Sequence, residues 1–115
     1  VSLFVAHDPA QIEACVELGV DQIELHTGEY ADAVGAHRRE ALAALRRGAA
    51  RARDAGMRVA AGHGLTVANV VDVAAIEAVE ELNIGHAIVA DAVIVGLADA
   101  VRAMRGAMDR GRAAT

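Results

Sequence analysis

Apolar residues fall in short blocks set off by glycines, and the period of the pattern changes from block to block. Val1-Ser2-Leu3-Phe4-Val5 is a brief apolar run of strand formers. Asp8-Pro9-Ala10-Gln11 then opens a helix: Asp8 caps it, Pro9 suits the first helical position, and Gln11 stands at the capping-box position. This helix is expected to run to about Leu18 with Ile12, Cys15 and Val16 inward, stopped by Gly19. Gln22 to His26 reads as a second strand. A long Ala/Arg helix is predicted from about Glu29 to Ala55, with Leu42, Leu45, Ala49 and Ala52 at helical spacing and Gly56 as its stop.

Arg58-Val59-Ala60-Ala61 is the third predicted strand, and GHGLT, Gly62 to Thr66, is its exit loop. Thr66 can cap a helix reaching about Ala75, with Val67, Val70, Val71 and Ala74 inward. Glu81 to Ile84 forms the fourth strand and Gly85-His86 its exit. A helical turn and a last helix follow, with Val93, Leu97, Val101, Met104 and Met108 in register and Gly106 weakening its end. The order β-α-β-α-β-α-β-α, with short apolar strands, predicts an α/β fold of parallel βα units.

The 115 residues suit one domain or part of one, and 55% hydrophobic content supplies a core built from Val, Ile, Leu and Ala, since aromatics are only 2%. A net charge of −5 argues against nucleic acid as the main partner. No window resembles a signal peptide or a membrane span. Cys15 is the single cysteine, so no internal disulfide can form, and a cytoplasmic setting is expected; on its helix it reads as core filler. All eleven long cations are arginine, which excludes a lysine Schiff base within this chain. Val1 lies inside a strand-like run without an initiator methionine, as expected of a segment of a longer protein.

In a parallel β/α fold all strand exits lie on one face, where sites are built. Four exits here carry small or polar residues: Ala6-His7-Asp8, His26-Thr27-Gly28, Gly62-His63-Gly64 and Gly85-His86. Glycine admits unusual backbone angles and close ligand approach, and free N–H groups at such turns bind anions, phosphate above all. Two adjacent Gly-His exits therefore predict one phosphate grip shared by two strands. His63, between two glycines, is the best general acid/base candidate, and His86 reads as a phosphate anchor. His7 reads as loop and His37 as an exposed helix residue. His26 suits a structural or a functional role equally. Glu24 points the same way as His26, and an inward carboxylate there must pair with an arginine or act on substrate. A zinc site from His26, His63 and His86 lacks any supporting His or Cys spacing, so no metal is expected.

VSLF at Val1–Phe4, IELHTGEYADA at Ile23–Ala33, AGHGLT at Ala61–Thr66, ELNIGHAIV at Glu81–Val89 and GLADAVRAM at Gly96–Met104, in this order and spacing, resemble the pyridoxine 5'-phosphate synthase family. The resemblance implies the C-terminal half of a TIM (β/α)8 barrel, with residues 1–115 as a single partial domain supplying strands five to eight. It implies condensation of 3-amino-1-hydroxyacetone 1-phosphate with 1-deoxy-D-xylulose 5-phosphate to pyridoxine 5'-phosphate, phosphate and water, in vitamin B6 biosynthesis. No metal or organic cofactor is implied, because the imine forms between the substrates themselves. By motif, His63 matches the proton donor and Glu24 the carboxylate that stabilises transition states. Gly64, Gly85 and His86 match the grip on the amino-ketone phosphate.

The chain departs from the family pattern at several points. The family reads VNAGHGL where this chain has Val59-Ala60-Ala61-Gly62, so an amide is lost at Ala60. An Asp is usual where this chain has His7 or Asp8, and Ile76-Glu77-Ala78-Val79 lacks a proline common before the last strand. The general bases and the sugar-phosphate ligands of the family lie on its N-terminal half. Half a barrel is expected to expose two strand edges and much apolar sheet, and to be inactive alone. The whole enzyme is expected to be a homo-octamer without membrane or nucleic-acid contacts. Two other readings stay open: another phosphate-handling β/α barrel enzyme, and a non-enzymatic phosphate-binding or self-assembling half-barrel.

Overall fold

Four parallel strands lie in chain order: β1 (Ser2–Val5), β2 (Gln22–His26), β3 (Arg58–Gly62) and β4 (Glu81–Asn83). The computed structural model describes residues 1–115. Six helices connect and follow the strands: α1 (Pro9–Leu18), α2 (Gly28–Asp32), α3 (Gly35–Asp54), α4 (Val70–Ala74), α5 (His86–Val95) and α6 (Leu97–Ala113). Such a series of parallel βα units is one half of a barrel sheet with its outer helices.

Strand register sorts the side chains. Glu24 pairs with Phe4 and Ala60, His26 with Gly62, and Gly62 with Asn83. Alternate residues face opposite sides, so Phe4, Glu24, His26 and Asn83 share one face. Ile23, Leu25 and Val59 occupy the other and are fully buried under the helices. The core joins them to Ile12, Cys15, Leu45, Ala49, Ala52, Val70, Val73 and Met104. Cys15 is thus core filler, as read from its spacing.

The helices differ from expectation in informative ways. Asp8 caps α1 by accepting the Ala10 N–H at 2.9 Å, and Gly19 ends it at φ 67°. Gln11 makes no capping box; its Oε1 accepts the Ala6 N–H at 3.0 Å instead. The long helix predicted from Glu29 to Ala55 is broken at Ala33 and Val34, both in extended conformation. The break lets Tyr30 plunge into the core, while the Arg38 guanidinium lies 5.5 Å over its ring and Nε donates to the Ala33 carbonyl at 2.9 Å. Thr66 starts a turn and not a helix, so α4 begins only at Val70.

The last segment holds a larger correction. A ten-residue helix, α5, stands where a single turn was predicted, and Gly96 at φ 88° separates it from α6. Met104 is buried as expected, but Val93, Leu97 and Val101 are exposed, together with Val89, Ile94 and Val95. The expected apolar sheet is not what the half-barrel shows. The open sheet face carries one large apolar side chain, Phe4; its other positions are polar, charged or small. The exposed apolar surface lies instead on α5 and the start of α6.

Candidate functional site

The strand exits converge on a cleft of about 520 Å³ lined by Phe4, Glu24, His63, Gly64, Leu65, Thr66, Asn83, Ile84, Gly85, His86 and Ala87. All five residues singled out by motif, Glu24, His63, Gly64, Gly85 and His86, are among them. β2 delivers Glu24, the β3 exit delivers His63 and Gly64, and the β4 exit delivers Gly85 and His86.

The carboxylate of Glu24 leans over the strand next to it. A Cβ at Gly62 would stand 2.5 Å from Glu24 Oε1, so the glycine leaves the space the carboxylate occupies. No arginine pairs with Glu24; the arginine ion pairs of this chain go to Glu13, Asp54, Glu77, Asp99 and Asp109. Of the two fates expected for an inward carboxylate, the arginine partner is absent, and the group is free to meet a ligand.

His63 is held in an unusual backbone state. It is the one non-glycine residue at positive φ, 95°, and Gly64 follows at 74°. Such a conformation costs a non-glycine residue about 1–3 kcal/mol and persists only where its surroundings enforce it. Here they do. Thr27 donates its N–H to the Gly62 carbonyl at 2.9 Å and its hydroxyl to the His63 carbonyl at 2.6 Å. Asn69 Nδ2 donates to the Gly64 carbonyl at 3.2 Å, and its Oδ1 accepts the Thr66 N–H at 2.8 Å. The Tyr30 hydroxyl donates to the Asn69 carbonyl at 2.6 Å. Each carbonyl from Gly62 to Gly64 is thus tied down, and the imidazole is aimed outward at the cleft. Burial pushes the Tyr30 phenol above its ordinary range, the Asp72 charge adds to the rise, and Arg38 opposes it.

The other wall is the start of α5. Gly85 is its N-cap residue and no side chain caps it. Val89 makes the first helical bond, to the Gly85 carbonyl at 3.0 Å, so the preceding N–H groups have no partner within the helix. No acidic side chain occupies this first turn. The cleft therefore ends on free N–H groups at the positive end of a helix, an arrangement that favours anions.

His7 stays outside the cleft; its Nε2 lies 3.1 Å from Glu29 Oε2. His37 is exposed on α3. His26 and His63 stack with ring centroids 4.4 Å apart, and no group of three His, Cys, Asp or Glu side chains is placed to hold a metal. Sequence reasoning missed Phe4 and Asn83 in the cleft wall and Thr27, Tyr30 and Asn69 behind it. The composition held one clue: the only Phe and the only Tyr of the chain both serve this site.

Fold and site together define half of a parallel β/α barrel with a cleft at its strand exits that opens onto a helix N-terminus. The chain belongs to the family described as pyridoxal phosphate biosynthesis protein PdxJ, which matches residues 1–110. A relative from Parasynechococcus marenigrum (strain WH8102) is 54% identical over 112 residues, covering 97% of this chain and 45% of its own length. One from Bradyrhizobium diazoefficiens is 51% identical over 116 residues, covering 97% and 46%. One from Sulfurihydrogenibium sp. (strain YO3AOP1) is 50% identical over 105 residues, covering 91% and 43%. All three bear the name pyridoxine 5'-phosphate synthase. The chain spans a little under half the length of these relatives. No helix is long and apolar enough to cross a membrane.

Proposed function

We propose that residues 1–115 supply strands five to eight of a pyridoxine 5'-phosphate synthase. The complete enzyme condenses 3-amino-1-hydroxyacetone 1-phosphate with 1-deoxy-D-xylulose 5-phosphate, releasing phosphate and water. The observation that carries this reading is one cleft lined at once by Glu24, by the outward imidazole of His63 and by the open start of α5. Gly64, Gly85 and His86 grip the phosphate of the amino-ketone, with backbone N–H groups meeting its oxygens. The substrate amine then adds to the ketone of the sugar phosphate and loses water to form an imine, so the protein need supply no amine; this chain has no lysine to offer. Every water loss needs a proton delivered to a departing hydroxyl, and His63 donates it. Glu24 faces the cationic imine and stabilises the positive charge as it develops. The reaction runs in the cytoplasm, in a homo-octameric enzyme, without metal or organic cofactor.

The general bases and the grip on the sugar phosphate come from the N-terminal half of the barrel, so the chain alone is inactive. The test mixes it with the N-terminal half of a curated relative, adds both substrates and follows pyridoxine 5'-phosphate. Turnover that disappears in His63→Ala supports the reading. A folded but inactive complex that still binds phosphate favours a binding module, and the exposed apolar face of α5 would then be the surface through which half-barrels pair.

A further inference from the structure

His26 lies behind the cleft and not in its wall. Its ring lies against two others, Phe4 at a centroid distance of 5.0 Å and a tilt of 35°, and His63 at 4.4 Å and 30°. One row of three rings thus crosses the exits of β1, β2 and β3. The Gly28 N–H donates to His26 Nδ1 at 3.0 Å, so Nδ1 serves as an acceptor and the ring proton sits on Nε2. Gly28 is small for a reason visible here. A Cβ at this position would strike the His26 ring and stand 3.0 Å from His63 Cδ2. The first residue of α2 thus orients one imidazole, and that imidazole lies against the second.

We propose that His26 is a positioning residue: it fixes the His63 ring in one rotamer over the cleft through the Phe4–His26–His63 stack, and exchanges no proton with substrate itself. This inference rests on the reading of His63 as the proton donor. The backbone clamp on residues 62–64 sets where the His63 Cα stands, but an exposed side chain at a strand exit keeps its rotamer freedom unless something packs on it. His26 is the group that packs on it. Offset stacking of this kind biases a rotamer equilibrium by roughly two- to tenfold.

The test compares His26→Phe, which keeps a flat ring, with His26→Asn and His26→Ala, which remove it. NMR couplings of the His63 side chain, measured on the 115-residue chain, report its rotamer whether or not any enzyme activity is reconstituted. One rotamer is expected in the unsubstituted chain and in His26→Phe, and rotamer averaging in His26→Asn and His26→Ala. With the complementary half added, kcat should fall about twofold in His26→Asn and His26→Ala, the loss expected when a roughly tenfold rotamer bias is removed, with KM unchanged, and stay at the unsubstituted value in His26→Phe. An unchanged His63 rotamer in His26→Ala overturns the proposal, and so does a His26→Phe variant as impaired as His26→Ala. If the unsubstituted pair shows no turnover, the synthase reading fails, while the NMR result still decides the role of His26.

Discussion

Glu24 occupies the space that a side chain at Gly62 would fill: a Cβ there would stand 2.5 Å from the carboxylate oxygen and 2.7 Å from the backbone oxygen of Asn83. The first contact can relax by rotation of the Glu24 side chain, and the second cannot, because Gly62 and Asn83 are register partners in β3 and β4. Gly62→Ala is therefore expected to destabilise the chain by about 1–3 kcal/mol and to push the carboxylate out of place. Glu24→Gln keeps the shape and removes the charge. It should leave the urea midpoint nearly unmoved and lower kcat of the complemented enzyme by about a hundredfold. Equal melting of Gly62→Ala and the unsubstituted chain would rule out this packing.

The backbone strain at His63 has its own measurable consequence. Replacing His63 by Ala or by Gly removes the imidazole and its stack on His26 in both cases. Only glycine relieves the positive φ of 95°. The Gly variant is expected to be more stable than the Ala variant by about 1 kcal/mol, despite the extra freedom glycine has when unfolded. Urea unfolding of the two side by side reads the difference, and an Ala variant at least as stable as the Gly variant would mean that residue 63 carries no strain.

Tyr30 ties stability to alkaline pH. Burial, then the Asp72 charge, raises its phenol in the folded state above the ordinary value near 10, with Arg38 acting against them. A raised folded value means that the neutral phenol is favoured by folding. Its stabilisation is complete below the unfolded value and is lost as pH climbs through the folded one. Melting temperature should therefore fall as pH rises above about 10 more steeply in the unsubstituted chain than in Tyr30→Phe. At neutral pH Tyr30→Phe should lose about 1 kcal/mol, the worth of its bond to the Asn69 carbonyl. Identical alkaline slopes would remove Tyr30 as the source.

Much of this was legible in the residues. The strand–helix alternation, the glycine stops and the Gly-His exits are local signals, and the residues they marked, Glu24, His63, Gly64, Gly85 and His86, do meet in one cleft. What stayed hidden depends on contacts between distant segments. The break at Ala33–Val34 adjoins Gly35, at φ 56°, a mark that the helical spacing of the residues after it overrides, and it accompanies Tyr30 reaching Asn69, thirty-nine positions on. The loop holding His63 is fixed by Thr27, which reads only as part of a strand exit, and by Asn69, which falls unremarked inside the helix predicted from Thr66 to about Ala75. The apolar spacing of Val93, Leu97 and Val101 cannot say whether the covering partner lies within this chain, and here it does not. Ala60 is level with Glu24 and Glu81 in the sheet, a neighbourhood that spacing alone does not reveal.

The stretch Ile76–Val79 contains no proline to stiffen it, and the structure holds it from outside. The Arg112 guanidinium donates to the Ile76 carbonyl at 3.3 Å and to the Val79 carbonyl. This reach depends on Gly111, where a Cβ would strike the Val71 carbonyl and stand 2.8 Å from Ala74 Cβ; α6 lies against α4 because nothing stands there. Gly111→Ala should push the helices apart and cost about 1–3 kcal/mol. Arg112→Ala should cost about 1 kcal/mol, toward the lower end for bonds from a charged donor because the side chain is exposed. Since the first change also withdraws the guanidinium, the double variant is expected to lose less than the sum of the two, by at least about 0.5 kcal/mol. Strict additivity in that cycle would show that Arg112 reaches the turn without help from Gly111.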